Sequence, residues 1–109
     1  MKPTREFDLN AIDDLVHSKL RLGILTLLSH VNASSFNELK SKLGATDGNL
    51  SVNLRKLEDA GYVSIEKSFV KRKSLTVVSM TTLGDEAYSS YRQHMLDLLL
   101  GRHVSNFDG

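Results

Sequence analysis

Apolar residues between Leu50 and Leu57 hold one narrow stripe, with Leu50, Leu54 and Leu57 recurring at steps of four and three. On a helix that turns about 100° per residue, this spacing stacks them along a single face. Thr46 stands just ahead as an N-cap, its side-chain oxygen suited to accept a backbone N–H of the first turn. Gly61 follows the last periodic position and predicts the stop near Ala60. Upstream, Ser35-Phe36-Asn37-Glu38 reads as a capping box. Phe36, Leu39 and Leu43 form the inward stripe of the helix it opens, and Gly44 ends that helix. Two short helices therefore flank a tight turn.

On either side the period changes. Leu9, Ile12, Leu15 and Val16 follow helical spacing, after which Ser18 either caps a second helix or lies inside one helix spanning 9–31. Leu20, Leu22, Ile24, Leu25, Leu27 and Leu28 are apolar nearly all round, the signature of a helix buried on more than one side. Tyr62–Phe69 alternates, with Val63 and Ile65 opposite Ser64 and Glu66, and Leu75–Met80 is rich in β-branched residues. Two strands around a tip at Val70–Ser74 predict a hairpin. Thr81 caps a last helix of about twenty residues, on which Ala87, Tyr91, His94 or Met95, and Leu98 recur. Residues 1–8 and 102–109 lack periodicity and read as tails around one domain at 9–101. The expected fold is mainly α with a β-hairpin wing: a winged helix-turn-helix with a long C-terminal dimerisation helix.

The stripe explains one face of the 47–60 helix but not the other. Opposite the leucines lie Gly48, Asn49, Ser51, Val52, Arg55, Lys56 and Asp59, with Asn53 on the flank. The net charge of the whole chain is only +1, yet Arg55–Lys73 carries six basic residues against three acids, leaving the rest of the chain at −2. A local positive patch on a near-neutral protein points to a polyanion at one place. An α-helix fits the DNA major groove, where Asn pairs with adenine, Arg with guanine, and a small apolar group meets the thymine methyl. Asn49, Ser51, Val52 and Asn53 are the expected base readers, because recognition helices read mainly through their N-terminal half. Thr46 and the free N–H groups of its first turn suit a phosphate, and Arg55 and Lys56 reach bases or backbone. Ser35 and Gly48 complete the helix-turn-helix contacts, while Lys71, Arg72 and Lys73 at the wing tip track phosphates or the minor groove.

Surplus apolar area at Leu96, Leu99 and Leu100, together with the all-round apolar 20–28 segment, predicts a dimer seam. Leu15, Leu20, Tyr88, Tyr91, Met95, Leu98 and Leu99 are its expected contacts. A dimer would set two reading helices about 34 Å apart, matched to a palindrome in double-stranded DNA.

Other chemistry has little support. The chain contains no Cys, which excludes disulfides, thiolate metal sites and thiol redox sensing. His17, His30, His94 and His103 form no pair at metal-site spacing, and no cofactor or metal is expected. Asp13-Asp14, Glu58-Asp59 and Asp85-Glu86 are adjacent pairs, whose members point about 100° apart on a helix and share no site. Gly-rich phosphate loops and nucleophile elbows are missing, so an enzyme is not expected. No apolar run reaches the roughly 18 residues of a membrane span, and the N-terminus is no secretory signal. The expected location is the cytoplasm. A small-molecule effector is not indicated. The alternative functions are a winged-helix protein-interaction module and an architectural DNA binder without sequence preference.

The run GNLSVNLRKLEDAGYVSIEKSF, followed by KRKSLTVVSMTTLG, resembles winged helix-turn-helix transcriptional regulators of the MarR and ArsR type. Their helix pattern of Leu-Ser, two further Leu and a Gly falls on Leu50, Ser51, Leu54, Leu57 and Gly61. Their step into the last helix falls on Met80, Thr81 and Gly84. The segment HSKLRLGILTLL is similar to their first helix, with His17, Ser18 and Arg21 matching. The resemblance covers about residues 9–100. It implies double-stranded DNA binding as a homodimer, usually in repression. Base reading would fall on Asn49, Ser51, Val52 and Asn53, and wing contacts on Lys71–Lys73. The chain departs from the metal sensors in having no Cys-bearing motif, and from the longer MarR-type proteins in its short termini.

Overall fold

The computed structural model describes residues 8–102. Apart from Asp8 and Arg102, the tails expected at 1–8 and 102–109 lie outside these residues, as does His103. In chain order the elements are α1 (Lys19–Val31), β1 (Ala33–Ser35), α2 (Phe36–Leu43), α3 (Asp47–Asp59), β2 (Val63–Val70), β3 (Lys73–Met80) and α4 (Thr82–Leu100), with a short 3-10 turn at Leu9–Ala11 ahead of them. This is the winged helix: mainly helical, with a β-hairpin wing and a long C-terminal helix.

Segment 9–31 is not one helix. Asp13 breaks it, its Oδ1 accepting from the backbone N–H of Leu15 (2.9 Å) and Val16 (3.4 Å). An Asp side chain that captures local N–H groups competes with the helix ladder. Ser18 is extended, with φ −153°, and α1 starts after it. The helical spacing of Leu9, Ile12, Leu15 and Val16 thus yields one 3-10 turn and a bend, with Val16 buried in the core. α1 lies at the centre, its Ile24, Leu25 and Leu28 fully buried.

The helix-turn-helix forms by local rules. Ser35 Oγ accepts from the Glu38 N–H (3.1 Å), and the Glu38 carboxylate accepts from the Ser35 N–H (3.2 Å). Gly44, at φ 63°, closes α2 in the left-handed region that suits glycine. Two residues later Thr46 Oγ1 accepts from the Asn49 N–H at 3.1 Å and opens α3. Leu50, Leu54 and Leu57 are at most 2% exposed. Each buried leucine contributes about 1.5–3 kcal/mol, so α3 is held by its stripe rather than by its propensity.

Two features of the sheet differ from the sequence reading. Residues 33–35 form a third strand, and the order is β1-β3-β2, with Ala33 opposite Ser79 and Ser35 opposite Val77. Ser35 therefore ends a strand and caps a helix at once. The wing is also longer and tighter than a tip at 70–74. Its ladder runs from Val63↔Met80 to Val70↔Lys73, leaving only Lys71 and Arg72 in the turn. Both have positive φ, 52° and 69°, as a two-residue hairpin turn matched to strand twist requires.

At its base the wing is tied to α4. Thr81 Oγ1 accepts from the Gly84 N–H (2.9 Å) and donates to the Gly61 carbonyl (2.6 Å). A side chain at Gly84 would collide with the Tyr62 carbonyl, so α4 begins directly against the backbone that leads into β2.

Candidate nucleic-acid interface

Because its leucine stripe points inward, α3 presents Gly48, Asn49, Ser51, Val52, Arg55, Lys56 and Asp59 to solvent. Val52 is 55% exposed and stands outside the hydrophobic core. Thr46 is exposed at the helix start, beside Asp47, whose carboxylate pairs with Lys40 of α2 at 2.9 Å. The sequence reading missed that pair. It sets a cation beside the acid at the N-terminus of α3, the helix end whose free N–H groups favour negative charge.

Asn53 is placed differently from its expected neighbours. It is half-buried, its Oδ1 accepting from Arg21 Nη1 at 2.7 Å and its Nδ2 donating to the Asn49 carbonyl at 2.8 Å. Arg21 Nε donates in turn to the Leu15 carbonyl at 2.6 Å. Both ends of the Asn53 amide are thus engaged inside the protein. Arg21 matched the family pattern in the sequence but carried no role there. A partner 32 residues away leaves no local trace.

Ser35 is likewise committed. Its hydroxyl serves the capping box and donates to Glu38 Oε1 at 3.2 Å. These hydrogen bonds, first from the Ser35 backbone and then from its side chain, hold the Glu38 carboxyl below its usual range. Glu38 stays charged at the start of α2, which sets an anion beside Ser35.

Between α3 and the wing runs an open groove of about 690 Å³, lined among others by Phe36, Ser51, Arg55, Glu58, Ile65 and Lys67. It brings Arg55 and Lys67 to one cleft. Lys67 entered the sequence reading only as charge, because its strand position becomes informative once the wing is known to curl along α3. Lys71 and Arg72 form the turn, and Lys73 opens β3 opposite Val70. All three are exposed.

The expected seam divides in two. Tyr88 and Tyr91 are 8% and 5% exposed and belong to the core of the single chain. Tyr88 Oη meets Thr26 Oγ1 at 3.0 Å, and Tyr91 Oη meets His17 Nδ1 at 2.7 Å. Burial holds the Tyr91 phenol above its ordinary pKa. Leu15, Leu20, Met95 and Leu98 are half-buried. Leu99 is 71% exposed and, with Leu96 at 39% and Leu100 at 62%, makes an outward stripe at helical spacing near the end of α4.

Among the described residues no group of three His, Asp or Glu converges as a metal site would. No helix among them is long and apolar enough to cross a membrane.

Comparison with known proteins places this geometry. A family model described as a winged helix DNA-binding domain matches residues 20–99. An uncharacterized protein of Methanocaldococcus jannaschii is 39% identical over 84 residues, which span 77% of this chain and 91% of the relative. The solved structure of a transcriptional regulator homologue from Pyrococcus horikoshii OT3 is similar with a TM-score of 0.76 at 29% identity, over 80% of this chain and 86% of that one. The protein ytfH of Salmonella typhimurium matches with a TM-score of 0.65 at 21% identity, over 87% of this chain and 86% of its own, a likeness of fold alone. The matched model runs from the first turn of α1 almost to the end of α4, and the chain belongs to the winged helix DNA-binding domain family.

Proposed function

We propose that the protein is a sequence-specific transcriptional regulator that binds double-stranded DNA as a homodimer and acts as a repressor. In this reading α3 enters the major groove, and the wing lies on the backbone or in the minor groove. One observation carries it: α3 is anchored by three buried leucines, yet its outward face offers Asn49, Ser51, Val52, Arg55 and Lys56, beside a wing bearing Lys67, Lys71, Arg72 and Lys73. Asn, Arg and a small apolar group are what the major groove discriminates.

Within this reading Asn49, Ser51, Val52 and Arg55 contact bases. Asn53, engaged by Arg21, holds the register of α3 instead. Lys56 and the wing cations contact phosphates. The self-association surface is the Leu96, Leu99, Leu100 stripe with Met95 and Leu98 beside it, and the two tyrosines support it from within. In this reading the protein works in the cytoplasm. A dimer would cover two half-sites on one face of the duplex, and a repressor of this kind would act by occupying that stretch.

Selection of bound duplexes from a random pool tests the reading, with affinity of the winners then followed against salt. The expected result is a palindrome with half-sites about one helical turn apart. Its affinity falls steeply with salt, since each phosphate contact adds about 0.9 to the slope. Binding without an enriched sequence overturns sequence specificity and favours an architectural role. No binding near physiological salt overturns the DNA reading.

A further inference from the structure

Phe69 has the largest fractional exposure of the big apolar side chains among the described residues, at 78%. Its surroundings make it more than a stray surface residue. Strand alternation puts Phe69 on the same face of the wing as Val63, Ile65 and Lys67. Val63 is buried in the core, while Ile65 and Lys67 line the groove beside α3. Phe69 is two residues beyond Lys67, about 7 Å further out, on the side of the wing that faces the reading helix. Its cross-strand partner is Ser74, too small to cover the ring.

Charge selects what could cover it. From Lys67 to Thr76 the wing carries Lys67, Lys71, Arg72 and Lys73 and no acid. A second copy of this basic tip would be repelled, whereas a polyanion would be attracted. Lys71 and Arg72 also occupy two positive-φ positions that Asn-Gly would fill with less strain. The tip thus combines a narrow turn, a cluster of cations and a projecting phenyl ring. Minor-groove binders use this chemistry: cations follow the groove, and an apolar side chain wedges between base steps and bends the duplex.

We propose that Phe69 is a DNA wedge, entering the minor groove beside the site read by α3 and bending the duplex. The proposal rests on the double-stranded DNA reading above. A wedge supplies affinity without neutralising a phosphate, so it is separable from its basic neighbours.

The test uses the full chain and a duplex recovered by the selection, with a donor and an acceptor dye at its ends. Affinity, salt slope and energy transfer are measured for wild type, F69S, F69L and R72A, and gel filtration and thermal melting are run alongside. F69S is expected to weaken binding roughly tenfold, the scale of one lost ring–base contact, with the salt slope unchanged and the bend lost. F69L, still an apolar wedge, keeps most of the bend. R72A keeps the bend and lowers the salt slope by about one. The wedge is overturned if wild type binds without bending the duplex, or if F69S binds and bends like wild type. A change of oligomeric state in F69S also overturns it, because the ring would then be covered by protein. Failure of wild type to bind any duplex removes the DNA reading itself, a result distinguishable from a bound but unbent complex.

Discussion

α3 and the wing solve opposite problems. α3 is determined several times over: Thr46 caps it, Gly61 at φ 81° follows its end, three leucines bury its inner face, and Arg21 grips Asn53 on its flank. The outer half of the wing has only its own ladder. From Glu66 to Leu75 every residue is exposed, and the turn holds two residues in the left-handed region. A side chain that reads bases must be held within a fraction of an ångström, and buried packing does that. A strand that follows a backbone can adapt, and what it needs is charge. The molecule puts stability under α3 and accepts strain at the wing.

The strongest way to break this contrast is to delete one leucine from each region. Leu50→Ala should destabilise the protein by about 3 kcal/mol, since the site is fully buried and collapses only in part. Leu75→Ala, on a side chain 36% exposed, should cost no more than about 0.5 kcal/mol. Urea denaturation of the two variants compares them directly. Equal losses would mean that the wing is packed as tightly as α3.

Relieving the turn is the next test. Replacing Lys71 with Asn and Arg72 with Gly fills the two left-handed positions with residues that tolerate them, where an ordinary side chain costs about 1–2 kcal/mol. Hydrogen exchange of the wing amides should slow. DNA affinity should nevertheless fall, with the salt slope reduced by about two. A more stable wing with undiminished binding would mean that the cations at the turn are idle.

Arg21→Ala reaches α3 from below. It frees the Asn53 Oδ1 and the Leu15 carbonyl, and charge-assisted hydrogen bonds contribute about 1.5–3 kcal/mol. Stability should drop by an amount near the low end of that range. The base preference recovered from a random pool should broaden, while the salt slope stays put. A sharper effect on salt dependence than on base preference would place Arg21 on a phosphate instead.

The smallest effect is at the α2 cap. The folded Glu38 carboxyl sits below its unfolded pKa, so it stabilises the fold above about pH 4.5 and loses that contribution as pH falls through the folded value. The difference in urea midpoint between wild type and Glu38→Gln should be clear at pH 7 and shrink as the pH falls below about 4.5. A difference that does not shrink there would attribute the cap to shape rather than charge.

What the sequence by itself determined is local. Ser35 with Glu38, Thr46 with Asn49, Gly44, Gly61 and the leucine stripe all act within three or four residues, so spacing alone displays them. The outward face of α3 follows by subtraction from its inward one. Only the tertiary structure decided the rest. β1 has three residues, too short to carry a period, and exists because β3 offers it an edge. Asp13 ends the first helical pattern with a side-chain hydrogen bond that periodicity does not register. Tyr88 and Tyr91 turn inward because Thr26 and His17, more than sixty residues away, take their hydroxyls. Asn53 looks free on a helical wheel and is held by Arg21 from α1. A side chain's freedom depends on which distant groups fold against it, and a local pattern contains no such information.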